Sequence, residues 1–121
     1  MNENLNRISQ IGLVPLVVLE DAADAVPLGQ ALVRGGIPVA EVTFRTGAAC
    51  ETIAAMSQEV PELLVGAGTV HTPEQAAQAV GAGARFIVTP GYNPRVISWC
   101  LENGVEVLPG TVSPADIEGA L

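Results

Sequence analysis

Glu41 lies inside an apolar run, Ile37 to Phe44, and Arg45 follows directly after it. A carboxylate set among apolar residues must be paired or have its pKa raised. Glu41 therefore reads either as one half of an ion pair with Arg45 or as a general acid/base working closer to neutral pH. The rigid fork of the Arg45 guanidinium suits the carboxylate or phosphate of a small anionic substrate, with a surface salt bridge as the structural alternative. Thr69, at the end of Gly66-Ala67-Gly68-Thr69, can give its hydroxyl to the same ligand or to the backbone. Pro90, in Thr89-Pro90-Gly91, can wall a pocket or shape a turn, and Pro109-Gly110-Thr111 is a further cluster of this kind.

Other chemistries find fewer residues. The chain has no lysine, and its five cations are Arg7, Arg34, Arg45, Arg85 and Arg95. His71 is the only histidine and has no Cys, Asp or Glu at metal-ligand spacing around it, so it reads as a surface or capping residue and no metal site is expected. Cys50 and Cys100 form no CxxC pair and read as reduced, helix-packing thiols. Gly66-Ala67-Gly68 matches a dinucleotide fingerprint poorly, because His71 stands where the third glycine belongs and the motif follows a third strand instead of a first. No nucleotide cofactor is expected, and the two glycines read as sites of close backbone approach to a ligand.

The elements that must position these residues are short apolar runs: Leu13 to Leu19, Ile37 to Thr43, Leu63 to Gly66, Arg85 to Thr89 and Val105 to Leu108. Apolar on both faces, they read as buried parallel strands. Helical stretches separate them, such as Ala22 to Arg34, where Ala25, Leu28, Leu32 and Val33 share a face. Thr72-Pro73, Asn93-Pro94 and Ser113-Pro114 mark helix starts, with Gln75 placed for a capping box after Thr72. Gly36, Gly83 and Gly104 stand where helices end in a left-handed residue. The pattern is α/β, five βα units in a single domain over residues 1–121, and in such folds functional groups gather at the C-terminal ends of the strands. Length favours a flavodoxin-like open parallel sheet, since a complete (βα)8 barrel needs about 200 residues or more.

Composition narrows the partners. Thirteen acidic residues against five basic ones give a net charge of −8, which repels a phosphate backbone and argues against nucleic acid. The first ten residues are polar and include Glu3, unlike a signal or transit peptide, and no apolar run approaches a membrane span. A cytoplasmic protein is the expectation.

Five ordered segments resemble the 2-keto-3-deoxy-6-phosphogluconate and 4-hydroxy-2-oxoglutarate aldolases: Val14-Pro15-Leu16-Val17-Val18, Gly35-Gly36 with Ala40 to Thr46 (AEVTFRT), Val65 to Val70 (VGAGTV), Val88 to Pro94 (VTPGYNP) and Leu108 to Pro114 (LPGTVSP). The resemblance begins near Ile8 and favours the TIM-barrel reading, here an incomplete (βα)8 barrel. It implies a lyase of carbohydrate metabolism, often trimeric, that needs no cofactor and cleaves a 2-keto-4-hydroxy acid to pyruvate and an aldehyde through a lysine Schiff base. It implies Glu41 as the general acid/base, Arg45 and Thr69 as contacts to the pyruvate carboxylate or neighbouring oxygens, and Pro90 as pocket lining.

In that family the Schiff-base lysine lies on the sixth strand and the phosphate-binding glycines on the seventh and eighth, beyond Leu121. An imine requires a neutral primary amine, which arginine cannot supply at ordinary pH. The expectation is half a site, with the proton carrier and part of a carboxylate clamp but no nucleophile, so that these 121 residues alone are inactive. The alternatives are a catalytically inactive half-barrel that binds or assembles, and a metal-dependent aldolase, for which the ligand set is sparse. Unpaired edges on the first and fifth strands should make the chain dimerise, swap, aggregate or pair with a missing half.

Overall fold

The computed structural model describes residues 2–121. Helix α1 (Glu3–Ile11) precedes five strands, β1 (Leu16–Val17), β2 (Val39–Thr43), β3 (Leu64–Gly68), β4 (Phe86–Thr89) and β5 (Glu106–Pro109). Each strand is followed by a helix: α2 (Ala25–Arg34), entered through a short 3-10 turn at Ala22–Asp24, α3 (Ala49–Glu59), α4 (Pro73–Ala82), α5 (Pro94–Glu102) and α6 (Pro114–Ala120). All four strand pairings are parallel, and the order across the sheet is β1-β2-β3-β4-β5. A flavodoxin-like sheet would place β1 between β2 and β3. Here neighbours in sequence are neighbours in space throughout, which is the winding of a (βα)8 barrel through its first five units.

The sheet alternates between two apolar environments. Val17, Ala40, Val42, Val65, Ala67 and Ile87 face the helices, and Ala76, Ala79, Val96 and Cys100 meet them from the helix side. Val39, Leu64 and Phe86 lie on the opposite face and form a second cluster with Ile8 and Ile11 of α1. Continuous apolar runs are what two buried faces require. Gly29 lets α2 sit close to the connection from α3 to β3, because a Cβ there would come within 3.2 Å of both Leu63 and Val60.

The caps follow from the sequence. Thr72, Asn93 and Ser113 each accept an N–H from the third residue of their helix, and Pro occupies the first turn in all three. Ser113 and Asp116 complete a reciprocal capping box. Gln75 differs from expectation: its Oε1 accepts from the His71 N–H at 2.8 Å, one residue before the cap. Gly36, Gly83 and Gly104 all take positive φ.

The polar N-terminal stretch is helical, a feature its composition concealed. Asn2 caps α1, Gly12 closes it with φ 79°, and the spacing of Ile8 and Ile11 turns one face onto the second cluster. Asn4 donates to the Arg85 carbonyl at 3.3 Å, Arg7 to the Glu62 carbonyl at 3.1 Å, and the Asn2 amide to the Glu106 carboxylate. The helix thus closes the N-terminal end of the sheet. Both Cys50 and Cys100 are free thiols, and burial pushes the Cys100 thiol up to about 11.

Apolar side chains remain in the open at the two edges: Leu13, Leu16 and Val18 around β1, and Val112 and Ile117 after β5. No helix among the described residues is long and apolar enough to cross a membrane.

Candidate active site

Parallel pairing brings the C-terminal ends of all five strands to one edge of the sheet. Backbone hydrogen bonds then tie the loops that leave it. Phe44 N–H donates to Gly68 O at 2.9 Å, Val70 N–H to Val88 O at 3.4 Å, and Gly110 N–H to Thr89 O at 2.9 Å. Arg45 follows Phe44, Thr69 follows Gly68 and Pro90 follows Thr89. Three of the four candidates therefore stand on one rim, and Glu41 lies two residues inside β2 from its end.

Glu41 projects onto the face opposite the helices, since Ala40 and Val42 on either side of it belong to the sheet-helix core. It is 8% exposed. On the neighbouring strand β3, the inward positions after Leu64 are Gly66 and Gly68. A Cβ on Gly68 would overlap the Glu41 carboxyl and its Cγ, and a Cβ on Gly66 would strike the Phe86 ring. The glycines were expected to admit a ligand to the backbone; what they admit is two side chains, Glu41 from β2 and Phe86 from β4. Glycine in a strand interior marks such close approach, but the sequence does not say what approaches.

Burial pushes the Glu41 carboxyl above its ordinary pKa, and the positive charge of Arg45 pulls against this. Among the described residues, no hydrogen bond or contact-distance ion pair joins Glu41 to Arg45. Arg45 is exposed in the turn after β2. The pairing reading of Glu41 thus reduces to long-range attraction, and desolvation is the larger effect.

Thr69 is half-buried and has φ 56°, which makes it the only non-glycine with positive φ among the described residues. For a β-branched residue this is a strained conformation, of a kind that gathers at functional sites. Pro90 is exposed on the rim, and a Cβ on Gly110 would collide with its carbonyl, so the β4 and β5 loops meet closely there. Thr89 turns its hydroxyl to the Gly91 carbonyl at 2.8 Å, which fixes the turn that carries Pro90.

Two further threonines, unmarked in the sequence reading, hold this rim together. Thr43 donates to the Val17 carbonyl at 3.3 Å and Thr46 to the Leu19 carbonyl at 2.6 Å, pinning the end of β1 to the β2 loop. His71 is exposed, and its carbonyl accepts from the Asn93 side chain at 2.9 Å. Among the described residues no three His, Cys, Asp or Glu side chains are grouped as a metal ion would require. A cleft of about 390 Å³ lies beside Pro90, lined also by His71, Tyr92 and Arg95, and does not include Glu41, Arg45 or Thr69.

This arrangement can be set against known proteins. Residues 5–121 match the aldolase family described as KDPG and KHG aldolase. The 2-dehydro-3-deoxy-phosphogluconate aldolase of Treponema pallidum is 54% identical over 114 residues, which is 94% of this chain and 54% of that protein. The crystal structure of the 2-keto-3-deoxy-6-phosphogluconate aldolase of Zymomonas mobilis with 3-phosphoglycerate is similar with TM-score 0.85 and 39% identity, over 92% of this chain and 55% of that one. That of KDPG aldolase from Legionella pneumophila, with pyruvate captured at low pH as a covalent carbinolamine intermediate, is similar with TM-score 0.83 and 37% identity, over 88% and 52%. The chain spans about half the length of the curated relatives it matches. Its five parallel units correspond to the first part of their barrels, and the chain belongs to the KDPG and KHG aldolase family.

Proposed function

We propose that these 121 residues supply the proton-handling half of a Schiff-base aldolase site that cleaves a 2-keto-4-hydroxy acid to pyruvate and an aldehyde. The observation that carries this reading is the placement of Glu41, an interior carboxyl at the C-terminal end of a parallel sheet, held above its ordinary pKa by burial. In the protonated form Glu41 gives its proton to the leaving hydroxyl of a carbinolamine, so that water departs and the imine forms. As a carboxylate it takes the proton of the substrate C4 hydroxyl; the C3–C4 bond breaks, the electron pair moves to the imine, and the aldehyde leaves. The same proton then returns to the pyruvyl C3. Arg45 and Thr69 hold the carboxylate of the keto acid and Pro90 lines the pocket, with no cofactor in the cycle.

The amine comes from outside these residues, since the chain has no lysine. Pyruvate captured covalently in the Legionella pneumophila relative supports the substrate class. A second reading, a half-barrel that binds or assembles without turnover, draws support from the same missing lysine and from the exposed Leu16 and Val112 at the two edges.

Reductive trapping separates the two. The chain is treated with pyruvate and borohydride beside a chimera in which residues 1–121 are followed by the remaining portion of the Treponema pallidum relative, and intact masses are recorded. The aldolase reading expects 12.4 kDa with no adduct beyond the N-terminal amine for the chain. For the chimera it expects one reduced pyruvate on a lysine outside residues 1–121. A folded chimera that binds pyruvate and stays unmodified supports the non-catalytic reading instead.

A further inference from the structure

We infer that Gly68 is a positioning residue for Glu41: by carrying no side chain, it lets the Glu41 carboxyl lie across the inner face of β3 instead of turning out toward solvent and Arg45. Thr43 and Gly68 are register partners, and Glu41 pairs with Gly66, so the carboxyl leans diagonally over the next inward position of the neighbouring strand. The overlap with a Cβ at Gly68 involves the Glu41 carboxyl oxygen, its carbon and its Cγ. Relief by a small swing of the chain tip is therefore unavailable, and any side chain at position 68 forces a different rotamer on Glu41. Glycine is not needed there for its backbone freedom, because Gly68 is absent from the positive-φ residues and Thr69 holds the left-handed position after it. A strand residue in ordinary conformation would gain from a side chain. What its absence provides is room for Glu41.

Gly66 has the same relation to Phe86, so β3 offers a flat floor at two consecutive inward positions, one taken by the carboxyl and the other by the ring. The seat of Glu41 is thus written into a residue two strand positions away from its pairing partner. Only the catalytic meaning of this seat rests on the function proposed above; the seat itself can be measured in the chain as it stands.

The test is the titration of Glu41 followed by carbon NMR on glutamate-labelled chain, in the wild type, Gly68→Ala and Gly81→Ala. Gly81 is exposed on α4 with nothing near its missing Cβ, so its variant controls for a glycine replacement as such. The wild type and Gly81→Ala should titrate above the ordinary carboxylate range, and Gly68→Ala should fall back toward it. A Gly68→Ala titration that stays at the wild-type position or moves higher overturns the inference. If Gly68→Ala does not fold, Gly68→Ala/Glu41→Ala decides: recovery of the fold identifies Glu41 as the side chain that needs the space, and continued failure overturns the inference. None of these readouts depends on turnover, so an inactive chimera would count against the proposed reaction and leave this result standing.

Discussion

The Glu41 carboxyl occupies the space in which a side chain on Gly68 would begin. Two strands share one volume, and the division is complete: β2 contributes an ionisable group and β3 contributes nothing but backbone. A charge placed this way loses water without gaining a partner, which is the condition that raises a carboxyl pKa.

Stability should respond to pH through this group. A carboxyl whose folded pKa is raised binds its proton more readily in the folded than in the unfolded state, so its contribution is fully present below the unfolded value and is lost as pH rises through the folded one. Replacing it with a neutral isostere removes that loss. Glu41→Gln should unfold at higher urea concentration than wild type at pH 7, with the difference shrinking as pH falls below the ordinary carboxylate range. Urea titrations at both pH values check it.

Arg45 opposes the burial effect on Glu41 by its charge. Arg45→Leu should therefore move the Glu41 titration further up, visible in the same carbon NMR experiment. In the chimera, losing the charge-assisted contact proposed for Arg45, worth about 1.5–3 kcal/mol, should weaken pyruvate binding roughly 10- to 100-fold.

Phe86 is fully buried on the inner face, across Gly66, in the cluster that α1 covers. Phe86→Ala leaves a cavity over the bare Gly66 of β3, within the cluster that includes Val39 and Leu64. A loss of about 3–5 kcal/mol is expected from chemical denaturation.

Asn93 serves two elements at once. Its Oδ1 accepts from Val96 N–H at 3.2 Å as the cap of α5, and its Nδ2 donates to the His71 carbonyl at 2.9 Å in the loop after β3. Asn93→Ala should cost about 1–2 kcal/mol by the same measurement, and Asn93→Asp, which keeps the accepting oxygen, should cost less.

The strands, their parallel order and the caps were legible because each rests on local chemistry: two-faced apolar runs, Pro after Thr72, Asn93 and Ser113, and glycine at Gly36, Gly83 and Gly104. Helix α1 was hidden by its polar exposed face, although Leu5, Ile8 and Ile11 carried the period. Strand β1 shrank to Leu16–Val17 from a longer apolar run, Leu13 to Leu19, because Pro15 cannot donate to a ladder and only one neighbour is present to define the strand. Within the site, the position of Glu41 could be read from its strand, whereas the glycine that seats it could not. A contact between Glu41 and Gly68 is set by the register of two strands, and register is a property of the sheet. The left-handed Thr69 was equally invisible, since threonine is a residue that sequence reasoning assigns to extended backbone.

Hydrogen exchange at C3 of pyruvate reports whether Glu41 carries the proton of the proposed reaction. The chimera and its Glu41→Gln form are incubated with pyruvate in deuterated buffer and followed by proton NMR, with borohydride trapping run to completion alongside. Glu41→Gln should still yield the trapped adduct at the end point while its exchange rate falls by about 10²- to 10⁴-fold. Exchange at the wild-type rate in Glu41→Gln would contradict it and move the proton carrier to another residue.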